Sequence, residues 1–304
     1  MDKKNFDELV ELAMQQPGRA AMKPVVEKEI LHYDIFHALN KGNLLKDLVF
    51  QGGTSLRLCR GSNRFSEDLD FAGGRDFTSE GMRTVKECIE DYIGARYGLK
   101  VEVKEPKASP FEAVKVDKWQ VSVETAPEQR NMPRQRIKIE IANIPAYTRE
   151  LMPLRANYEF LQGQGYDSVL VNTESLNEVM ADKLLAFPVA KNIRHRDIWD
   201  LAWLAQQGAK VVPDFIEKKI GDYQVKDYPD LLEQAIVKLP EVIRSKDFYD
   251  QMSRFIDAQT LADTLEKDQF LGYLINNVGA QFRIVQEHFS PGEDEEEAAP
   301  EFRM

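Results

Sequence analysis

Residues 51–72 read QGGTSLRLCRGSNRFSEDLDFA, and this stretch decides the fold of the chain. The apolar run Leu48-Val49-Phe50 directly before it predicts a buried strand. Gly52-Gly53 then allows the backbone to turn sharply and to approach a ligand closely. Thr54 or Ser55 is expected to cap a short helix from Leu56 to Arg60. Amides and a hydroxyl at a helix N-terminus suit phosphate oxygens, so the first half of the stretch predicts a phosphate site.

The second half of the stretch carries an Asp-x-Asp pair, Asp68 and Asp70. In a predicted strand from Glu67 to Phe71, residues two apart share a face, so both carboxylates project together while Leu69 and Phe71 point into a core. Paired carboxylates suit Mg²⁺, which completes its octahedron with waters and substrate phosphates. Alone, an Asp-x-Asp pair is typical of a solvated strand edge and Gly-Gly of an ordinary turn. Their combination at this spacing favours a phosphate and metal site.

The stretch resembles the signature of the AbiEii/AbiGii toxin family of nucleotidyltransferases, a type IV toxin–antitoxin family that includes MenT-like enzymes. That signature reads Gly-Gly-Thr-small-Leu and then Arg-x-Ser-x-Asp-apolar-Asp-apolar. The matching residues are Gly52, Gly53, Thr54, Ser55, Leu56, Arg64, Ser66, Asp68, Leu69, Asp70 and Phe71. The resemblance implies metal binding by Asp68 and Asp70. It also implies nucleotide binding by Gly53, Thr54, Ser55, Arg64, Ser66 and Lys183.

Further motifs of the family follow in the expected order, from about Glu27 to Leu204. Asp182-Lys183-Leu184 resembles the family's lysine motif, and Arg194, Asp197 and Asp200 resemble its later Arg-Asp-x-x-Asp motif. By resemblance, Lys183 is a phosphate ligand and Asp197 an active-site carboxylate. The residues alone leave another interpretation open: a structural ion pair between Lys183 and Asp197, with an i,i+3 contact from Arg194.

A third carboxylate is expected on a neighbouring strand. In residues 137–141, Ile-Lys-Ile-Glu-Ile, Lys138 and Glu140 share one face and the isoleucines occupy the other. The polymerase-β type of nucleotidyltransferase, which the resemblance implies, places a carboxylate on the strand beside its Asp-x-Asp strand. We assign Glu140 to that catalytic role. Glu102 and Glu124 are weaker alternatives, and an ordinary surface glutamate remains open for Glu140.

The resemblance implies a toxin that transfers a nucleotidyl group from a nucleoside triphosphate with one or two Mg²⁺. The implied acceptor is the 3′ end of tRNA, where added nucleotides would block aminoacylation and so stop translation. The implied partner is an antitoxin encoded nearby. Two other functions use the same site: a phosphotransferase that passes on the γ-phosphoryl group, and a nucleotide-binding regulator without turnover.

The predicted fold class is α+β: a polymerase-β-type core with a mixed or antiparallel sheet, followed by a helical C-terminal domain. We expect the nucleotidyltransferase domain over residues 1–172, the helical domain over 173–290, and a disordered acidic tail over 291–304. Alternating apolar residues predict strands at 99–104, 119–125 and 136–142, with a further strand at 168–171. Helices are expected at 6–16, 23–39 and 78–97, and from 175 onward with breaks at Pro188, Pro213, Pro229 and Pro240.

The composition is typical of a cytoplasmic enzyme, with 43% hydrophobic and 30% charged residues. No apolar run approaches the roughly 18 residues of a membrane span, and the charged start does not resemble a signal peptide. Cys59 and Cys88 are expected to be reduced core thiols. A net charge of −11 argues against a broad polyanion-binding surface, so an RNA-facing site has to be locally basic. Candidates are Arg57, Arg60, Arg64, Lys183, Lys191, Arg194 and Arg196.

Overall fold

A mixed sheet forms one half of the molecule. The computed structural model describes residues 5–107, 114–128 and 132–290. Within them the strands are β1 Val49–Gln51, β2 Leu69–Ala72, β3 Lys100–Lys104, β4 Val116–Glu124, β5 Gln135–Ala142, β6 Glu150–Pro153 and β7 Leu170–Thr173. They are ordered β3-β4-β5-β2-β1-β7-β6. The pairs β2/β5 and β1/β7 are parallel and the others antiparallel, so the expected mixed sheet is confirmed.

Helices cover the sheet and then form the second half of the described chain. They are α1 Phe6–Met14, α2 Lys23–Lys41, α3 Gly52–Arg60, α4 Val85–Tyr97, α5 Leu176–Val189, α6 His195–Gln206, α7 Pro213–Tyr223, α8 Tyr228–Arg244, α9 Lys246–Met252, α10 Ala258–Asp263 and α11 Asp268–Phe289. Two short 3-10 helices span Ser79–Met82 and Glu159–Leu161. The α+β class with a helical C-terminal region is confirmed.

Two of the predicted helix breaks are wrong. Pro188 lies inside α5 and Pro240 lies inside α8. A proline has no N–H to donate to the carbonyl four residues earlier, which for Pro188 is that of Leu184. The Tyr228 hydroxyl donates to this carbonyl at 2.9 Å, so the acceptor is satisfied and the helix continues. Pro213 and Pro229 occupy first-turn positions of α7 and α8, where proline is tolerated.

The strand assignments need two corrections. The Asp-x-Asp strand begins at Leu69 and not at Glu67, so Asp68 lies just outside it. The sequence interpretation missed β6, whose two central residues are Leu151 and Met152. Leu151 is 61% exposed, and β6 is an edge strand with no partner on its outer side among the described residues. Such a strand lacks the buried alternation on which the sequence prediction relied.

Two hydrophobic clusters correspond to the two halves. The first joins α1, α2 and α4 to the inner face of the sheet, and the second joins α5 to the helices that follow it. Leu56 of α3 belongs to the second cluster and Phe255 belongs to the first, so the halves interlock. A domain boundary near residue 172 remains a proposal, and the predicted acidic tail lies outside the described residues.

Within residues 5–107, 114–128 and 132–290, no helix combines the length and the apolar character needed to cross a bilayer.

Replacing Ile139 with alanine is expected to destabilise the sheet. Ile139 is 1% exposed and pairs with Leu69 at the centre of the sheet. The lost contacts and the cavity are expected to lower the free energy of unfolding by about 2 to 5 kcal/mol in urea denaturation. Ile284→Ala is the matched control, because Ile284 is 47% exposed and its loss is expected to change stability by about 0.5 kcal/mol or less. Equal effects of the two changes would contradict the assigned core.

Candidate active site

Three polar side chains form a row across adjacent strands. Gln51 of β1 pairs with Asp70 of β2, and Asp70 pairs with Glu140 of β5. Directly paired residues project from the same face of a sheet, so the three side chains lie side by side. The opposite face carries Phe50, Phe71 and the buried isoleucines of β5, as the alternating pattern predicted.

The row concentrates negative charge. Burial, followed by the charges of Glu140 and Asp68, raises the pKa of Asp70 to about 6. Glu140 is partly balanced by Lys118 of β4, whose Nζ lies 3.2 Å from Oε1 of Glu140. Glu140 thus has a basic partner on the neighbouring strand, as an ordinary surface glutamate can have, and the same carboxylate also lies beside Asp70. A row of this kind favours a bound cation, because a cation relieves the repulsion between its carboxylates.

The sequence interpretation did not assign Gln51. Its buried Oε1 has no hydrogen-bond partner among the residues that the structure describes, and it lies beside the carboxylates. The signal was its position immediately before Gly52-Gly53, at the end of a strand.

Both glycines are required by close approaches. Gly52 has φ +75°, and a Cβ there would lie 3.0 Å from Oδ2 of Asp70. A Cβ on Gly53 would lie 2.0 Å from Nη2 of Arg64. The glycine pair therefore lets the start of α3 lie against Asp70 on one side and Arg64 on the other.

The capping prediction for α3 is wrong. The helix begins at Gly52 with Gln51 as the N-cap, so Thr54 and Ser55 lie within its first turn. The Thr54 hydroxyl donates to the carbonyl of Asp68 at 2.5 Å, and the Ser55 hydroxyl donates to the carbonyl of Gly52 at 2.8 Å. Both side chains are buried and already bonded. The structure therefore offers backbone amides at this turn, and phosphate binding by Gly53, Thr54 and Ser55 remains a prediction.

Asp68 faces the neighbouring strand. Its Oδ1 accepts the backbone N–H of Lys138 at 3.0 Å, and its Oδ2 lies 3.5 Å from Nζ of the same lysine. The Asp68 side chain is 32% exposed, and its charge contributes to the raised pKa of Asp70. Metal binding by Asp68 remains a prediction.

Lys183 lies in a buried ion network between α5 and α6. Its Nζ is 2.9 Å from Oδ1 of Asp197 and 2.5 Å from Oδ2 of Asp200. Arg194 pairs with the other oxygen of Asp197. Burial alone would raise the pKa of Asp197, but Lys183 and Arg194 hold it well below its usual range. The structural ion pair that the sequence left open is present, and both partners also line a cleft.

Arg64 joins the network from the sheet side. Its Nε donates to Oδ1 of Asp200 at 2.5 Å, and its Nη2 donates to Oδ2. Arg64 is 2% exposed and Asp200 is 0% exposed. The guanidinium of Arg64 is thus paired with a buried carboxylate, and its Nη2 lies close to Gly53. Ser66, two residues after Arg64, is also buried. Direct nucleotide contacts by Arg64 and Ser66 remain predictions.

One cleft of about 460 Å³ brings the carboxylate row and the ion network together. Its polar lining consists of Gln51, Asp70, Glu140, Asp182, Lys183, Arg194, Asp197 and Tyr223. Its apolar lining includes Val116, Ala142, Val179, Ala186, Val189 and Val225. Carboxylates of the sheet therefore share one space with two cations and two carboxylates of the helical half, and this space also has apolar walls. Such a cleft can hold an anionic, metal-bound ligand that carries an apolar ring system.

Other sequence candidates lie elsewhere or have partners. Glu102 and Glu124 both contact Arg134 at the β3–β4 side of the sheet. Arg57 is buried against Glu29, and Arg60 pairs with Glu150. Arg57 is therefore unavailable to an RNA ligand.

The family model for the nucleotidyl transferase AbiEii toxin of type IV toxin–antitoxin systems matches residues 34–273. The chain belongs to the AbiEii family. It is therefore a nucleotidyltransferase of a toxin family.

Two solved structures from Helicobacter pylori are similar to this AbiEii chain. The first, described as an inferred nucleotidyltransferase, is 20% identical to this chain and has a TM-score of 0.48. The match covers 87% of this chain and 95% of the other chain. The other, JHP933, is 18% identical with a TM-score of 0.42, covering 87% of this chain and 92% of its own. Among curated proteins, none matches.

The donor set of this AbiEii chain fits a hard cation. In the described part of the chain, no group of three or more His, Cys, Asp or Glu is arranged to hold a metal ion. Mg²⁺ requires fewer protein ligands, since it is usually bound by one or two carboxylates together with waters and substrate phosphates. Asp70, with its raised pKa and the unpartnered Oε1 of Gln51 beside it, meets that need.

Replacing Asp200 with asparagine is expected to destabilise the protein strongly. The change leaves Arg64 and Lys183 buried with less compensating charge, and breaking such a pair costs about 3 to 5 kcal/mol. The matched control is Asp268→Asn, because the Asp268 side chain is 80% exposed in its pair with Arg244. Its loss is expected to cost about 1 kcal/mol or less in urea denaturation. A comparable loss in both variants would contradict the role of the buried network.

Asp70→Asn is expected to stabilise the metal-free protein at pH 7.5 by about 1 to 2 kcal/mol. The folded pKa of about 6 exceeds the unfolded value, so the stability from this group is present below the unfolded pKa and lost as pH rises through 6. The difference between the variants should shrink toward zero as pH falls from 6 to 4. Urea denaturation at pH 4 and 7.5 with a chelator measures it, and a less stable variant at pH 7.5 would contradict the electrostatic account.

Proposed function

We propose that the protein is a metal-dependent nucleotidyltransferase toxin that transfers a nucleotidyl group from a nucleoside triphosphate to an RNA hydroxyl, with pyrophosphate leaving. The observation that carries this proposal is the cleft itself. It brings Asp70 and Glu140 of the sheet together with Lys183 of α5 and with Arg194, the residue before α6. A triphosphate with its metal needs both kinds of group in one space.

Asp70 would hold Mg²⁺, with Asp68 or Glu140 as a second carboxylate and Gln51 as a neighbouring oxygen donor. When bound, the metal supplies charge stabilisation to the attacking and leaving oxygens. The carboxylates themselves are positioned by the sheet register, because Asp70 is paired on both sides.

Lys183 and Arg194 would bind the triphosphate. Lys183 is a compact point charge, and two aspartates hold its ammonium in place. The Arg194 side chain is 51% exposed and is therefore accessible to a ligand in the cleft. Backbone amides in the first turn of α3, where the N-cap residue makes no side-chain hydrogen bond, would add further donors on the sheet side.

Glu140 is the better candidate for deprotonating the acceptor hydroxyl. Glu140 and Asp197 both line the cleft and are the two carboxylates considered for this role. Two cations hold the pKa of Asp197 well below its usual range, which makes that carboxylate a poor base. Glu140 lies in the carboxylate row with one exposed lysine partner, and it lines the cleft.

The proposed acceptor is the 3′ end of tRNA, where added nucleotides would block aminoacylation and stop translation. Membership in a toxin–antitoxin family supports a toxic activity and an antitoxin partner. The basic residues Lys191, Arg194 and Arg196 border a second cavity that adjoins the cleft, which supports approach of a polyanion from that side.

Incubation of the protein with Mg²⁺, total tRNA and triphosphates labelled at the α or the γ position tests the function. Transfer of α-label alone is expected, because the nucleotidyl group remains on the acceptor and pyrophosphate leaves. Asp70→Asn and Lys183→Ala are each expected to lower the rate by about 100-fold or more, since each removes charge stabilisation at the reacting phosphates.

Lys238→Ala, on the exposed side of α8, serves as a control and is expected to retain activity. Transfer of γ-label alone would instead establish a phosphotransferase. Nucleotide binding without transfer of either label would establish a regulator. Full α-label transfer by Asp70→Asn would contradict the metal assignment.

A further inference from the structure

Two polar side chains of the cleft have no role in the proposed chemistry. Metal and phosphate roles use Gln51, Asp70, Glu140, Lys183, Arg194 and Asp197. Asp182 and Tyr223 remain, and both line the same cleft. Their surroundings therefore decide which part of a nucleotide they meet.

The carboxylate of Asp182 is paired with a buried lysine. Its Oδ1 lies 2.5 Å from Nζ of Lys219, which is 1% exposed. The same ammonium lies 3.3 Å from Glu174 and 3.0 Å from Glu178. The Asp182 side chain is 22% exposed, so the carboxylate is fixed on one side and accessible on the other. A preorganised acceptor of this kind loses little freedom when it binds a donor.

The walls beside Asp182 are apolar and aromatic. Val179 and Ala186 lie three and four residues away on α5 and therefore share its face of the helix. Tyr223, the last residue of α7, is 36% exposed and lines the same space. Val225, two residues later, also lines it. Apolar side chains with an exposed aromatic ring form a slot for a flat ring system, since a nucleobase stacks on such a ring.

We propose that Asp182 and Tyr223 form the base-recognition subsite of the cleft, in which Tyr223 contacts the face of the base and Asp182 accepts an N–H of its exocyclic amino group. The proposal rests on the proposed function, because it assumes that the ligand is a nucleotide.

The acceptor chemistry of a carboxylate sets the base preference. An ionised aspartate accepts hydrogen bonds and donates none. Cytosine, adenine and guanine carry an exocyclic amino group, whereas uracil and hypoxanthine have a carbonyl oxygen or a hydrogen atom at the corresponding positions and present only a ring N–H beside it. A carbonyl oxygen facing Asp182 would leave two acceptors opposed, and an unmade hydrogen bond at a partly buried group is costly. The protein should therefore prefer triphosphates of amino-bearing bases.

Direct binding of CTP, UTP, ATP, GTP and ITP to the full chain tests this preference without relying on transfer. Calorimetry with Mg²⁺ is expected to give affinities for the amino-bearing triphosphates about tenfold or more above UTP and ITP. CTP and UTP form the sharpest pair, because they differ at the base only in the amino-bearing edge.

Asp182→Asn is the matched variant. Asparagine keeps an acceptor for Lys219 but adds an amide donor, so the preference for CTP over UTP is expected to fall to about threefold or less. Glu217→Gln makes the same chemical change on α7 outside the cleft, where Glu217 pairs with His288, and should leave the preference intact. Tyr223→Leu is expected to weaken all five triphosphates equally, since every base has a face to stack.

The outcomes separate this inference from the function on which it rests. Equal affinity of the wild-type protein for CTP and UTP would overturn the inference while nucleotide binding itself stands. An equal loss for all triphosphates in Asp182→Asn would also overturn it, because that result describes a purely structural residue. Failure of the wild-type protein to bind any triphosphate would overturn the proposed function together with the inference.

Discussion

The buried pair between Arg64 and Asp200 is the interaction on which the rest of the site depends. It joins the segment before the Asp-x-Asp strand to α6, with both side chains nearly inaccessible to water. A buried charge without its partner is strongly destabilising, so the sheet and the helical half cannot separate at this point without a large cost. The same pair explains Gly53, because any Cβ at that position would occupy the place of the guanidinium. A glycine that looks like part of a phosphate loop is therefore also a packing requirement of the ion network.

The two sides of the cleft differ in how their charges are compensated. On the sheet, Asp70 lies in a row with Glu140, and its pKa is raised because burial and like charges both oppose its ionisation. On the helices, Lys183 and Arg194 are held by Asp197 and Asp200. The sheet side therefore carries an electrostatic cost in the absence of a cation, whereas the helix side is compensated internally. Such an arrangement suits a substrate that arrives with its own cation and presents its phosphates to the opposite wall.

In the proposed site, helix α5 carries both a phosphate-binding residue and a base-recognition residue. Adjacent residues Asp182 and Lys183 pair with different helices, Asp182 with α7 and Lys183 with α6. Lys219 of α7 pairs with Asp182, Asp197 of α6 pairs with Lys183, and both α5 side chains line the same cleft. A shift of α5 relative to the sheet would change the distance from Lys183 to the carboxylate row and the position of the base slot together. The function proposed here thus depends on how the two halves interlock.

The sequence by itself determined the local chemistry. Period-two alternation predicted that Glu140 and the isoleucines of β5 occupy opposite faces, and motif order predicted the family and the α+β class. The first feature follows from spacing within one segment, and the second follows from the order of motifs along the chain. Only the tertiary structure decided which distant residues meet: Gln51 beside Asp70, Arg64 beneath Gly53 with Asp200, and Tyr228 at the carbonyl that Pro188 leaves without its helical donor. The physical reason is that strand register, buried ion pairing and the rescue of an unpaired carbonyl depend on groups brought together by packing. The periodicity of apolar residues within a segment therefore cannot predict these contacts.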